Sequence, residues 1–186
     1  MIPRLIVMAF AAAVSFANQA TAQTPYYATP AGWREQAEPA FGFSVDMPAG
    51  VGRIEDSQDA PSVSLDFRDQ GGQVLVQAID FARAGAVFEA TPDVVLDGVV
   101  EEFAGEHQLV LVAKNVVTID AAAARDATYR SDMLNVTTKI RFIFAQGRLY
   151  TLTGVGLSEG GFPPGYERVL KSFKLLAPPR PGPGSR

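Results

Sequence analysis

The chain has 186 residues, a formal charge of −4, 47% hydrophobic residues, a single histidine and no cysteine. Without cysteine there are no disulfides, thiolate metal sites or thiol nucleophiles, and an acidic balance argues against a broad basic surface for nucleic acid. One histidine leaves no ordinary His-based metal site and no imidazole pair for acid–base work, so the composition describes a domain held together by burial.

The chain opens on Met1-Ile2-Pro3-Arg4, an apolar run over 5–17 broken only by Ser15, and Asn18-Gln19-Ala20-Thr21-Ala22. This pattern predicts a secretory signal over 1–22, cleaved to leave Gln23 at the new N-terminus. The 13 residues of the run are too few for a membrane span, which needs roughly 20. Losing Arg4 leaves 15 Lys and Arg against 20 Asp and Glu, a mature charge of −5. The expected destination is a bacterial periplasm, or alternatively the medium outside the cell, with no membrane span after cleavage.

Residues 23–39 lack a periodic apolar pattern and predict an extended arm anchored by Trp33. A single domain is expected over 40–176. In it Phe41, Phe43, Val45 and Met47 alternate along a strand ended by Pro48, and Val63, Leu65 and Phe67 alternate along another. Between them 50–61 reads as a loop carrying Asp56 and Asp59. The segment 73–81 is apolar at both parities, as a central strand would be.

Thr91-Pro92-Asp93 predicts a helix start, with Thr91 as cap and a buried stripe of Val95, Leu96, Val99, Val100 and Phe103 running to about Gly105. His107 follows as a helix-end cation. Strands are expected over 108–113, 116–119, 123–131, 134–145 and 149–155, joined as an antiparallel meander. A tight turn at Asp132-Met133 would set Tyr129 opposite Val136, Thr128 opposite Thr137 and Asp126 opposite Lys139. In the next hairpin, apolar partners for Phe142 and Phe144 favour closing Ala145 against Leu149 over a two-residue Gln146-Gly147 turn. A short amphipathic helix is marked by Tyr166, Val169, Leu170 and Phe173, and the Pro- and Gly-rich stretch 177–186 is expected to be a disordered tail.

Little in the chain carries catalytic chemistry. No serine lies in a Gly-x-Ser-x-Gly elbow, and Gly71-Gly72 and Gly160-Gly161 lack the spacing of phosphate loops. Asp93, Asp97 and Glu101 form a carboxylate row on the first helix, expected to be a solvated face. Lys139, Arg141, Thr137, Thr151 and Thr153 are expected to share the outward face of the last hairpin, which makes them the candidate binding face. No cofactor, catalytic residue or metal ligand is expected.

The opening strand Phe41-Gly42-Phe43-Ser44-Val45-Asp46-Met47-Pro48, the mid-chain helix, the late hairpin and the ending Tyr166-Glu167-Arg168-Val169-Leu170-Lys171-Ser172-Phe173 resemble the PsbP-like and DcrB-like group of small lumenal and periplasmic proteins. The resemblance spans roughly 41–176. It implies an α+β fold with a single antiparallel β-sheet flanked by two helices, and accessory or binding roles. Metal-site residues of the photosynthetic members do not map onto this chain, because the histidines are missing. The function expected is that of a non-enzymatic periplasmic accessory or binding protein engaging an envelope protein or component. The alternative is a small-ligand or ion carrier with a pocket between the sheet and helix 91–105, and a hydrolase comes last.

Overall fold

The computed structural model describes residues 30–57, 60–69, 72–157 and 161–177. The signal, the first part of the arm, Asp59, Gly71, Gly160 and the tail from 178 onward lie outside the described residues.

Among the described residues, ten strands and two helices follow in the order β1 (Arg34–Glu38), β2 (Phe43–Met47), β3 (Gly52–Asp56), β4 (Ser62–Asp69), β5 (Gly72–Asp80), α1 (Pro92–Glu106), β6 (Val110–Ile119), β7 (Ala122–Ser131), β8 (Val136–Ala145), β9 (Arg148–Leu157), α2 (Pro164–Ser172) and β10 (Lys174–Leu175). The expectation of a single sheet is corrected. The strands form a three-stranded sheet, β1-β2-β10, and a seven-stranded sheet, β3-β4-β5-β9-β8-β7-β6. All pairings are antiparallel. The class remains α+β. Among the described residues, no helix is long and apolar enough to cross a membrane.

Both faces of the large sheet are covered, and this decides much of the sequence pattern. One face packs against α1, whose Val95, Leu96, Val99, Val100 and Phe103 meet Ile79, Phe81, Ala127, Tyr129, Ile140, Phe142 and Leu149. The other face packs against the small sheet and α2, with Phe43, Val45, Met47, Tyr166, Val169 and Phe173 against Val63, Leu65, Val74, Val76, Ile143, Tyr150 and Leu152. A strand with no solvated face buries both parities, as β5 does from Val74 to Asp80.

Several local expectations are corrected. β1 occupies the end of the predicted arm, and β3 the predicted loop 50–61. The two strands expected at 108–113 and 116–119 are replaced by one ten-residue strand, β6, which starts at Val110 and has a register shift that leaves Val112 bulged between Leu111 and Ala113. Thr91 stands at the cap position of α1 in an extended conformation, yet its side chain makes no capping bond. The β7–β8 connection is longer than a two-residue turn. Residues 132–135 form it, with Asn135 at φ 50°, so Asp126 faces Arg141, Thr128 faces Lys139 and Tyr129 faces Thr138.

The β8–β9 hairpin closes through the two-residue Gln146-Gly147 turn, pairing Phe144 with Leu149 and Phe142 with Thr151. Gln146 and Gly147 sit at φ 55° and 71°, the positive pair that a type I′ turn demands and that matches strand twist. Apolar partners would decide this register only in a sheet with one buried face. With both faces covered, Phe142 and Thr151 are buried side by side beneath α1.

Candidate binding surface

The five residues of the candidate binding face do not share a face. Thr137, Lys139 and Arg141 alternate along β8 with Ile140 and Phe142, and so point away from α1. Thr151 and Thr153 pair with Phe142 and Ile140, lie on the α1 side and are buried. The split follows from the two-residue turn, because moving the register by one residue exchanges the faces of β9 relative to β8.

On the side away from α1, Arg141 is committed to Asp126 through a two-pronged pairing, Nε to Oδ1 at 2.7 Å and Nη2 to Oδ2 at 2.8 Å. Hydrogen bonding to that carboxylate holds the guanidinium pKa above its ordinary value, against a lowering by burial. Such paired geometry orients a side chain and leaves it little freedom to meet an anion. Lys139 is exposed, and its Nζ lies 4.3 Å from the centre of the Phe162 ring. This places a cation and an aromatic ring together at the rim of the large sheet, next to the start of α2.

Two contacts fix the first turn of α2. Asp69, buried at the end of β4, accepts a 2.6 Å hydrogen bond from the Gly165 amide in the first turn of α2, where a carboxylate is favoured. The Tyr166 ring lies on Gly154 of β9, and its hydroxyl donates to the Leu152 carbonyl at 3.3 Å.

The carboxylate row of α1 is not a free solvated face. Arg125 of β7, only 4% exposed, donates to Asp97 Oδ1 at 3.0 Å and to Asp93 Oδ1 at 2.8 Å, while Lys114 of β6 sits 3.2 Å from Asp97 and 4.0 Å from Glu101. Hydrogen bonding from Arg125 lowers the Asp97 pKa, against the opposing effect of burial. The row therefore docks the helix on the sheet. Among the described residues, no group of three or more His, Cys, Asp or Glu could hold a metal ion.

His107 departs from the helix-end cation expected of it. It stands at the C-terminal cap of α1 with its ring 4.5 Å from that of Phe103, and its Nε2 is buried without a partner. Burial lowers its pKa, with the nearby Glu106 charge acting in the opposite direction. A depressed imidazole pKa favours the neutral form in the folded chain, so this contribution to stability is complete above the ordinary value of 6.5 and is lost as pH falls below it. Burial and Glu106 raise the Glu102 pKa, which works in the opposite sense at lower pH. Urea midpoints measured from pH 7.5 downward will fall less in His107→Gln than in the unchanged chain, and parallel curves would remove the imidazole from the account.

The surface feature that the sequence reading missed is apolar. At the end of the large sheet where β6 begins and β9 ends, Val110, Val112, Met133, Leu134 and Leu157 are 52%, 56%, 82%, 39% and 56% exposed. The β7–β8 turn carries Met133 and Leu134, Leu157 pairs with Val136 just beyond that turn, and Val110 pairs with Arg130 just before it. These residues gather at one end of the sheet, with Leu157 on the α1 side and Val110 on the opposite side. Met133 and Leu134 were visible in the sequence, but only the four-residue turn brings them out beside Leu157.

Among solved structures, the fold is similar to the solution structure of cyanobacterial PsbP (CyanoP) from Synechocystis sp. It matches with a TM-score of 0.53 at 10% identity, over 83% of this chain and 98% of that one. A crystal structure from Bacteroides thetaiotaomicron matches with a TM-score of 0.46 at 12% identity, over 77% of this chain and 48% of that one. The chain has a PsbP-like resemblance at the level of the fold. No protein-family profile matches it, and no curated protein matches it in sequence.

Proposed function

We propose that the chain is a non-enzymatic exported accessory protein, acting in a bacterial periplasm, that binds an envelope protein or component through the apolar end of its large sheet. The observation that carries this reading is the exposed Met133, Leu134 and Leu157 at one end of that sheet, with the charged Arg130 and Asp132 at the same turn. Apolar side chains gathered at one edge and rimmed by charge are the usual form of a protein docking site. The signal-like leader supports the compartment, and the PsbP-like fold is compatible with an accessory role.

The carrier reading is less well supported, because the space between the sheet and α1 is filled by the side chains of Val95, Leu96, Val99, Val100 and Phe103. A test compares the mature chain with a Met133→Glu/Leu157→Glu variant in photo-crosslinking to an envelope fraction. Both positions are exposed, so the substitutions leave the circular dichroism unchanged. The variant is expected to lose a specific crosslinked band by on the order of tenfold or more, as removal of central apolar contacts does. Equal crosslinking by both proteins would refute the assignment of this surface.

A further inference from the structure

The two edges of the large sheet are built differently. β3, at one edge, has five residues and carries Arg53, Glu55 and Asp56, charges that discourage pairing with another chain. β6, at the other edge, has ten residues and, among the described residues, pairs with β7 alone. Its one charged side chain, Lys114, is drawn to Asp97 and Glu101 of α1, while Val116 is 72% exposed. The bulge at Val112 disturbs the start of the strand, but from Ala113 to Ile119 its register is regular. A long apolar edge with its lone cation neutralised from within has no guard against strand addition.

We propose that residues 113–119 pair antiparallel with the same residues of a second copy about a two-fold axis at Val116. This register sets Val116 against Val116 of the second copy, Asn115 against its Val117, Lys114 against its Thr118 and Ala113 against its Ile119. No two like charges meet. Moving the axis to Lys114 would set ammonium against ammonium, which cross-strand pairing disfavours. The segment is therefore its own complement in charge and shape, which an isologous contact requires, and the pairing closes at two copies. A short strand pair falls below the roughly 800 Å² per partner of a standard interface, so the dimer is concentration-dependent.

Because the chain contains no cysteine, Val116→Cys introduces a single thiol. Facing residues of an antiparallel pair have Cα atoms about 4.5–5.5 Å apart, inside the disulfide range of about 4.4–6.8 Å. Thiols held together in the dimer meet at an effective concentration on the order of millimolar. Under mild oxidation Val116→Cys should then form covalent dimer at least about tenfold faster than Ile54→Cys, an exposed control on β3. Sedimentation velocity should show the unchanged chain moving from monomer to dimer with concentration. Val116→Glu should stay monomeric, since its carboxylate faces Arg125 within the subunit but its own copy across the axis. A monomer at every soluble concentration, equal oxidation rates for the two cysteine variants, or a dimer that survives Val116→Glu would each overturn the proposal.

Discussion

Asp80→Ala is expected to cost the folded chain about 3–5 kcal/mol, the loss typical of a buried ion pair stripped of one partner. Asp80 ends β5 with its side chain 0% exposed, directly across from Arg148 in the β5–β9 register. Its Oδ2 accepts from Arg148 Nε at 2.8 Å and lies 3.2 Å from Arg83 Nε, and its Oδ1 accepts from the Arg83 amide at 3.0 Å. Arg83 in turn donates to the Ala40 carbonyl and stands over the Phe41 ring, and Gly42 leaves room for the Arg148 guanidinium. One carboxylate thus joins the large sheet, the turn after β5 and the entry to the small sheet. Without it Arg148, 15% exposed, keeps its charge with no counterion. With a urea slope of about 1–3 kcal/mol per molar, the midpoint should fall by on the order of 2 M. Asp80→Ala/Arg148→Met should be clearly less damaging than the sum of the single changes, because the second change removes the stranded charge. A loss under about 1 kcal/mol for Asp80→Ala would show that water reaches Arg148 and that the joint is dispensable.

How far the sequence discloses this architecture depends on what holds each element. Strands driven by burial announce themselves: Phe43, Val45 and Met47 alternate, as do Val63, Leu65 and Phe67, and the α1 stripe is the one its spacing predicts. Elements held by backbone pairing at an edge do not. β1 reads Arg34-Glu35-Gln36-Ala37-Glu38, β3 has Ile54 as its one large apolar residue, and β10 is two residues long, so these edge strands leave no periodic trace. Arg125 reaches Asp93 and Asp97 across 32 and 28 residues of chain, and no local pattern reports such a contact. The candidate face failed for a related reason. Thr151 and Thr153 read as polar and therefore outward, yet in a sheet covered on both sides a threonine packs its methyl group beneath α1 as readily as a valine would.

Gly154→Ala decides whether α2 is locked to the sheet by close contact. Gly154 does not occupy the left-handed region, so alanine fits its backbone, and by chain entropy alone the change would stabilise by about 0.4–1 kcal/mol. The added Cβ, however, would lie 2.7 Å from Cγ of Tyr166 and 2.9 and 3.0 Å from the two Cδ atoms. Tyr166 is 3% exposed, its hydroxyl is tied to Leu152, and the preceding Gly165 is tied to Asp69, so the ring cannot lift without moving the first turn of α2. Overpacking of this kind costs about 1–3 kcal/mol, more than the entropy returns. The expected outcome is a net loss of about 1 kcal/mol and a melting temperature lower by roughly 2–4 °C. In a Tyr166→Leu background, with no ring over the strand, the same substitution should be neutral or stabilising. A Gly154→Ala chain that melts at or above the unchanged protein would mean that α2 rides loosely on β9, and the close approach would then explain nothing about why glycine stands at that position.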